Sequence, residues 1–182
     1  DADSNSFLVS RIGSIEVVKH IEDFLKLAHS FRHVENCYFL FAGMGDEHYI
    51  TELSKYWKNS QNIAYAGVVS EQEKNDINAA TDICLYPTEF ESFGYSIAEP
   101  MSHGTPVITY NESACPETVG DGGVIVEFNN LEKLAVALVD LLVRPLYRKR
   151  LAEAAYKRWE DNFSPGGYTE TIIPIYERLL NG

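Results

Sequence analysis

The sequence predicts a single α/β domain over residues 1–182, a doubly wound parallel sheet of six strands with helices on both faces. Two observations carry that prediction. Short apolar runs alternate with stretches of helical period almost from end to end, and the runs are continuously apolar, as strands buried on both faces require. The chain has 182 residues, 45% hydrophobic and 23% charged, which is enough for a self-sufficient core in one domain or at most two small ones. No internal repeat, linker or low-complexity tract divides it.

Taken in order, Phe7-Leu8-Val9 is the first strand. Residues 15–29 form the first helix, with Val18, Ile21, Leu25 and Ala28 at helical spacing. Cys37 to Ala42 (CYFLFA) is a continuous apolar strand closed by Gly43. A helix over about 47–58 leads to a strand from Ile63 to Ala66. Ser70 and Glu73 have the spacing of a capping box, in which each side chain satisfies the other residue's orphan amide at a helix start. Ile83 to Tyr86 is the fourth strand, ended by Pro87, and a helix over about 94–103 stops at Gly104. Pro106 to Thr109 is the fifth strand. After a loop, Asp121-Gly122-Gly123 turns into the sixth, Val124 to Phe128. Asn129 and Glu132 cap a helix with Leu131, Leu134, Leu138 and Leu141 on one face, stopped before Pro145. Two helices, about 146–161 and 165–180, complete the chain, the second opened by Ser164 as cap and Pro165 as first helical residue.

Charge narrows the function. Against 15 Lys+Arg stand 27 Asp+Glu, a formal charge of −12, which argues against general nucleic-acid binding. A small anionic ligand is still open to a few local cations and backbone amides. Cys37 and Cys84 sit in apolar runs and, with Cys115, show no paired spacing, so a reducing, cytoplasmic compartment is expected. No apolar run reaches the ~20 residues of a membrane span. The chain starts at Asp1 without a signal segment, and the expectation is a piece of a longer protein. The five histidines show no spacing for a metal site, and Gly43-Met44-Gly45 lacks the third glycine of a dinucleotide fingerprint.

Ligands of doubly wound sheets bind outside the carboxyl ends of the strands, here the loops beginning at Ser10, Gly43, Gly67, Pro87 and Tyr110. The fourth loop carries the most chemistry. Gly94 lets the backbone turn sharply into a helix, leaving the amides of Gly94, Tyr95 and Ser96 for an anion such as phosphate. Glu91 stands just ahead of that helix and Glu99 inside it. A carboxylate accepts hydrogen bonds from paired hydroxyls, so two of them flanking a phosphate site suit a sugar on each side. Complementing the helix dipole would account for Glu89 and Glu91, but not for Glu99 in an apolar turn.

The segment PTEFESFGYSIAEPMSHGTPVI resembles the Glu-x7-Glu signature of retaining GT-B glycosyltransferases of family 4, with Glu91 and Glu99 as its glutamates. Four further segments resemble the family in order: Ser10-Arg11 after the first strand, FLFAGMGDE with Gly43 and Gly45, NIAYAGVVSEQE with Val69 beside the nucleobase, and SACPETVGDGG as the Pro-Glu loop. The last helix, FSPGGYTETIIPIYERLL, resembles the one leading back to the family's other domain. The resemblance implies the Rossmann-like, donor-binding C-terminal half of a two-domain enzyme that needs no metal or other cofactor. The partners it implies are a nucleoside-diphosphate sugar and, through an N-terminal domain absent here, a saccharide or lipid-linked acceptor. It further implies that Glu91 contacts the donor sugar, Glu99 the ribose, and Arg11 the diphosphate. The helix start with Phe93, Gly94, Tyr95 and Ser96 would hold the distal phosphate. The spacing of the Glu-x7-Glu and Pro-Glu segments argues against other GT-B enzymes such as glycogen synthases and nucleotide-sugar epimerases.

Three positions depart from the family. Ser10 and Ser92 stand in place of glycines, and Glu16 occupies the place of a lysine five residues after the Arg. Lys19, one turn on if the helix starts at 15, is the expected substitute. Glu16 also favours the alternative reading, a non-catalytic nucleotide-sugar-binding or assembly module. Arg144, Arg148, Lys149, Arg150, Lys157 and Arg158 read first as a solvated helix face and second as a peripheral contact with an anionic membrane.

Overall fold

The computed structural model describes residues 6–181. They form one sheet of six strands: β1 (Phe7–Ile12), β2 (Cys37–Ala42), β3 (Ile63–Tyr65), β4 (Ile83–Tyr86), β5 (Val107–Tyr110) and β6 (Gly123–Val126). Their order is β3-β2-β1-β4-β5-β6 with every pair parallel. The winding reverses between β1 and β4, which opens a crevice at their carboxyl ends.

Alternation along the strands divides the core between two helical layers. Ile83, Leu85, Ile108 and Tyr110 belong to a cluster with Phe24, Leu25, Leu134 and Leu138, from α1 (Ile21–Ser30) and α6 (Leu131–Val143). Their neighbours Cys84, Tyr86 and Val107 face the other way, against Ile97, Met101, Val119 and Ala155. These come from α4 (Tyr95–Met101), α5 (Cys115–Val119) and α7 (Pro145–Asn162). The remaining helices are α2 (Glu47–Leu53), α3 (Glu71–Ala80) and α8 (Pro165–Asn181). Burial on both faces is why β4 and β5 carry no charged residue, and their one threonine, Thr109, donates its hydroxyl to Tyr86 O at 2.8 Å.

β2 and β4 have the bounds expected from the sequence, and the capping box at α3 is present, with the Ser70 amide donating to Glu73 Oε2 at 2.7 Å. Other expectations need correction. The first helix starts at Ile21 and not at 15, because Ile15 is drawn into a bridge with Gly45 and donates its amide to Met44 O at 2.8 Å. Residues Val17–Lys19 make a 3-10 turn, and His20 at φ 44° separates that turn from α1. β1 runs on to Ile12, since β2 offers a partner at each position from Phe7↔Cys37 to Ile12↔Ala42. The helix expected over 47–58 ends at Leu53 and continues only as a 3-10 turn, Ser54–Tyr56. Asn130, not Asn129, caps α6, its Oδ1 accepting from Lys133 N at 3.0 Å. The loop after β5 contains α5, a helix the periodicity is too short to reveal.

Candidate functional site

At the carboxyl ends of β1 and β2 the backbones meet without side chains between them. The Gly13 amide donates to Ala42 O at 3.0 Å and the Gly43 amide to Gly67 O at 2.8 Å. A Cβ on Gly43 would overlap the Gly13 carbonyl, one on Gly45 the Ile15 carbonyl, and one on Gly13 the Tyr86 hydroxyl, with Ser96 Oγ 3.0 Å away. Gly43 has φ 148°, where side chains are disfavoured. Three segments thus converge: the turn after β1, the Gly43-Met44-Gly45 loop and the start of α4. Gly13 and Tyr86 are parts of this junction that sequence reasoning missed. Gly13, two residues past Arg11, was the available signal.

α4 begins as expected. Gly94 takes a left-handed conformation (φ 88°), and the first amides to turn back into the helix, those of Ile97 and Ala98, both reach Gly94 O. The amides of Gly94, Tyr95 and Ser96 therefore have no intrahelical acceptor. The Phe93 carbonyl is held by the Thr118 hydroxyl of α5, so the missed helix fixes the turn into α4. Val69 lies half-buried in the segment between β3 and α3.

Each signature glutamate is paired with a lysine from another element. Lys19 Nζ donates to Glu91 Oε1 at 2.7 Å and to Phe90 O at 2.6 Å, and both charged side chains are only 13% exposed. Lys19 reaches this position from the 3-10 turn, not from a helical turn beyond Glu16 as expected, and Glu16 is exposed at the head of that turn. Lys74, on α3, donates to Glu99 Oε1 at 2.8 Å and pairs with Glu71 at 2.9 Å. Its hydrogen bond to Glu99 raises its pKa above the ordinary lysine value. Nothing in the sequence singles out Lys74.

Arg11 is 0% exposed. Its Nη2 donates to Ser14 O at 3.0 Å and Lys19 O at 3.4 Å, and its guanidinium lies 4.7 Å from the Tyr86 ring centre. Among the described residues Nε and Nη1 have no hydrogen-bond partner. Burial lowers its pKa, and the nearby Tyr86, Cys84 and Glu91 oppose that shift. The Ser10 hydroxyl is turned away from the loops and shares a 2.7 Å hydrogen bond with Thr81 at the end of α3.

A cleft of about 620 Å³ opens beside α4, with Phe93, Tyr95 and Glu99 on one wall and Trp159, Phe163 and Tyr168 on the other. Arg11, Lys19, Gly43 and Gly45 are outside it, so the expected site residues form two groups that meet at the start of α4. Among the described residues no group of three or more His, Cys, Asp or Glu could hold a metal ion, and no helix is long and apolar enough to cross a membrane. Part of the basic run is engaged inside the fold: Arg148 donates to Leu141 O at 2.6 Å, and Arg158 to Thr118 O at 3.0 Å. Trp57 packs edge-on to Phe41, with ring centres 5.0 Å apart.

The family model described as "Glycosyl transferases group 1" matches residues 1–158. The O-antigen chain mannosyltransferase B of Escherichia coli is 32% identical over 104 residues, covering 54% of this chain and 27% of that protein. The alpha-galactosylglucosyldiacylglycerol synthase of Streptococcus pneumoniae is 27% identical over 184 residues, 96% of this chain and 46% of its own length. The chain therefore spans less than half of either relative. Among solved structures, Anabaena HepE in complex with UDP and glucose superposes with a TM-score of 0.83 at 17% identity, over 96% of this chain and 49% of that one, a likeness of fold.

Proposed function

The chain belongs to the glycosyl transferases group 1 family, and from that premise we propose that it is the donor-binding half of a two-domain retaining glycosyltransferase. It holds a nucleoside-diphosphate sugar for hexosyl transfer to a saccharide or lipid-linked acceptor on the other half. The observation that carries this reading is the convergence of unpaired α4 amides and close-packed glycine turns, with Glu91 before that helix start and Glu99 within it. Amides at a helix start receive phosphate, and carboxylates receive sugar hydroxyls, so the order along the loop matches sugar, diphosphate and ribose. The name of the Escherichia coli relative brings a mannosyl donor into consideration, and the solved neighbour brings UDP and glucose.

In this reading Glu91 orients the transferred sugar and Lys19 holds Glu91 while adding positive charge beside the leaving diphosphate. Arg11 has no exposed surface and acts through its field unless the segment carrying Ser14 and Lys19 shifts. Its two unpartnered donors suit an anion close by. Amides and cations together stabilise the leaving group without a metal, and the departing phosphate assists the acceptor on the same face, retaining configuration. Such catalysis is positioning plus electrostatic stabilisation.

Calorimetric titration of the chain with UDP, GDP and ADP tests the reading: one should bind, and binding of none would refute it. The chain alone should transfer no sugar, since water exclusion and acceptor placement need the other domain. Glu16, exposed where the family has lysine, favours the second reading, a binding module without turnover. Donor turnover by the full-length protein would exclude it.

A further inference from the structure

We propose that Lys74 is a positioning residue that fixes the Glu99 carboxylate for the ribose diol of a bound nucleoside diphosphate, an inference that rests on the donor-binding reading above. The glutamate side chain has three rotatable bonds, and immobilising it when a ligand arrives costs free energy that a preorganised site does not incur. Lys74 supplies that preorganisation. Its ammonium lies 2.8 Å from Glu99 Oε1 and 2.9 Å from Glu71 Oε2, so it is held from two sides, and Glu99 Oε2 is left to accept from hydroxyls.

The helix that carries Lys74 is itself pinned at both ends. The Ser70–Glu73 box closes its first turn, and the Lys74 amide completes that turn on Ser70 O at 2.8 Å. At the far end Thr81 binds Ser10 on β1, the strand whose following turn adjoins Ser96. Ser10 and the capping box thereby acquire a common role, holding α3 where its lysine meets α4. Lys74 is 22% exposed and Glu99 36% exposed, so the pair is reachable by a ligand and still sheltered enough to be ordered.

The test compares a ribonucleotide with its 2′,3′-dideoxy counterpart, using whichever of UDP, GDP and ADP binds most tightly. Wild type should prefer the ribonucleotide by about 10-fold, the order expected for hydroxyls donating to a carboxylate. Lys74→Met should reduce that preference to about 2-fold at an unchanged thermal midpoint, and Lys74→Arg should restore it. Lys74→Leu, which likewise removes the donor to Glu99, provides the same comparison should the methionine variant unfold. If Lys74→Met weakens both nucleotides equally, Lys74 contributes only charge and the inference is overturned. If it tightens the ribonucleotide, Lys74 competes with ribose for Glu99, which also overturns it. Either result leaves the donor-binding reading intact as long as the wild type binds. Failure of all three nucleotides to bind would overturn both.

Discussion

Where β1 and β2 end, Gly43 and Gly45 lie against neighbouring backbone and Gly13 against the Tyr86 hydroxyl, at separations that admit no Cβ. On the loop after β4 and the helix it enters the arrangement is opposite: two glutamates project from the chain, and each is held by one lysine borrowed from a different element. The glycine turns are fixed by shape, through steric overlap that rises steeply with any added atom. The acidic loop is fixed by ion pairs between partly exposed groups, which contribute modestly to stability and tolerate replacement. Altering the first should therefore damage folding and binding together, and altering the second should damage binding alone.

The largest effect is expected at Gly43. Gly43→Ala places a methyl against the Gly13 carbonyl at φ 148° and should cost about 2–4 kcal/mol of stability, read from the midpoint of urea unfolding at constant slope. Gly67→Ala, also at positive φ but with nothing within 4 Å of the added carbon, should cost only about 1–2 kcal/mol. Equal costs at the two positions would mean that φ, and not the close approach, sets the tolerance of the glycine wall.

Glu99→Ala comes next and belongs to the other wall. It should weaken nucleoside-diphosphate binding by about 1–3 kcal/mol through lost ribose hydrogen bonds, with unfolding nearly unchanged. A large fall in unfolding midpoint would erase the distinction between the walls. Lys19→Ala should weaken binding by about 1–2 kcal/mol, between the values for exposed and buried pairs, because it leaves Glu91 without its partner near the diphosphate. Titration at two ionic strengths separates this from a packing loss, which salt would not alter. The smallest effect is Glu16→Lys, an exposed change that should tighten binding by about fivefold or less at low salt and fade as salt rises. No change at low salt would place the head of the 3-10 turn out of range of the ligand.

What the sequence determined by itself was everything coded within a few residues. The continuous apolar run from Cys37 to Ala42 reads as a strand, and the Ser70–Glu73 spacing caps its helix wherever that helix lies. Gly94 ahead of Tyr95 and Ser96 gives the helix start, with Glu91 before it and Glu99 within it. The tertiary structure alone decided who meets whom. Strand order brings Lys74 to Glu99 across 25 residues and Lys19 to Glu91 across 72, and it sets Gly13 against Gly43. The same packing buries Arg11 completely and stops the first helix from starting before Ile21, since Ile15 has a better partner in Gly45 than in its own next turn. Periodicity and caps are local interactions that a short stretch of chain makes with itself. An ion pair between two loops exists only once the sheet has chosen which strands are neighbours.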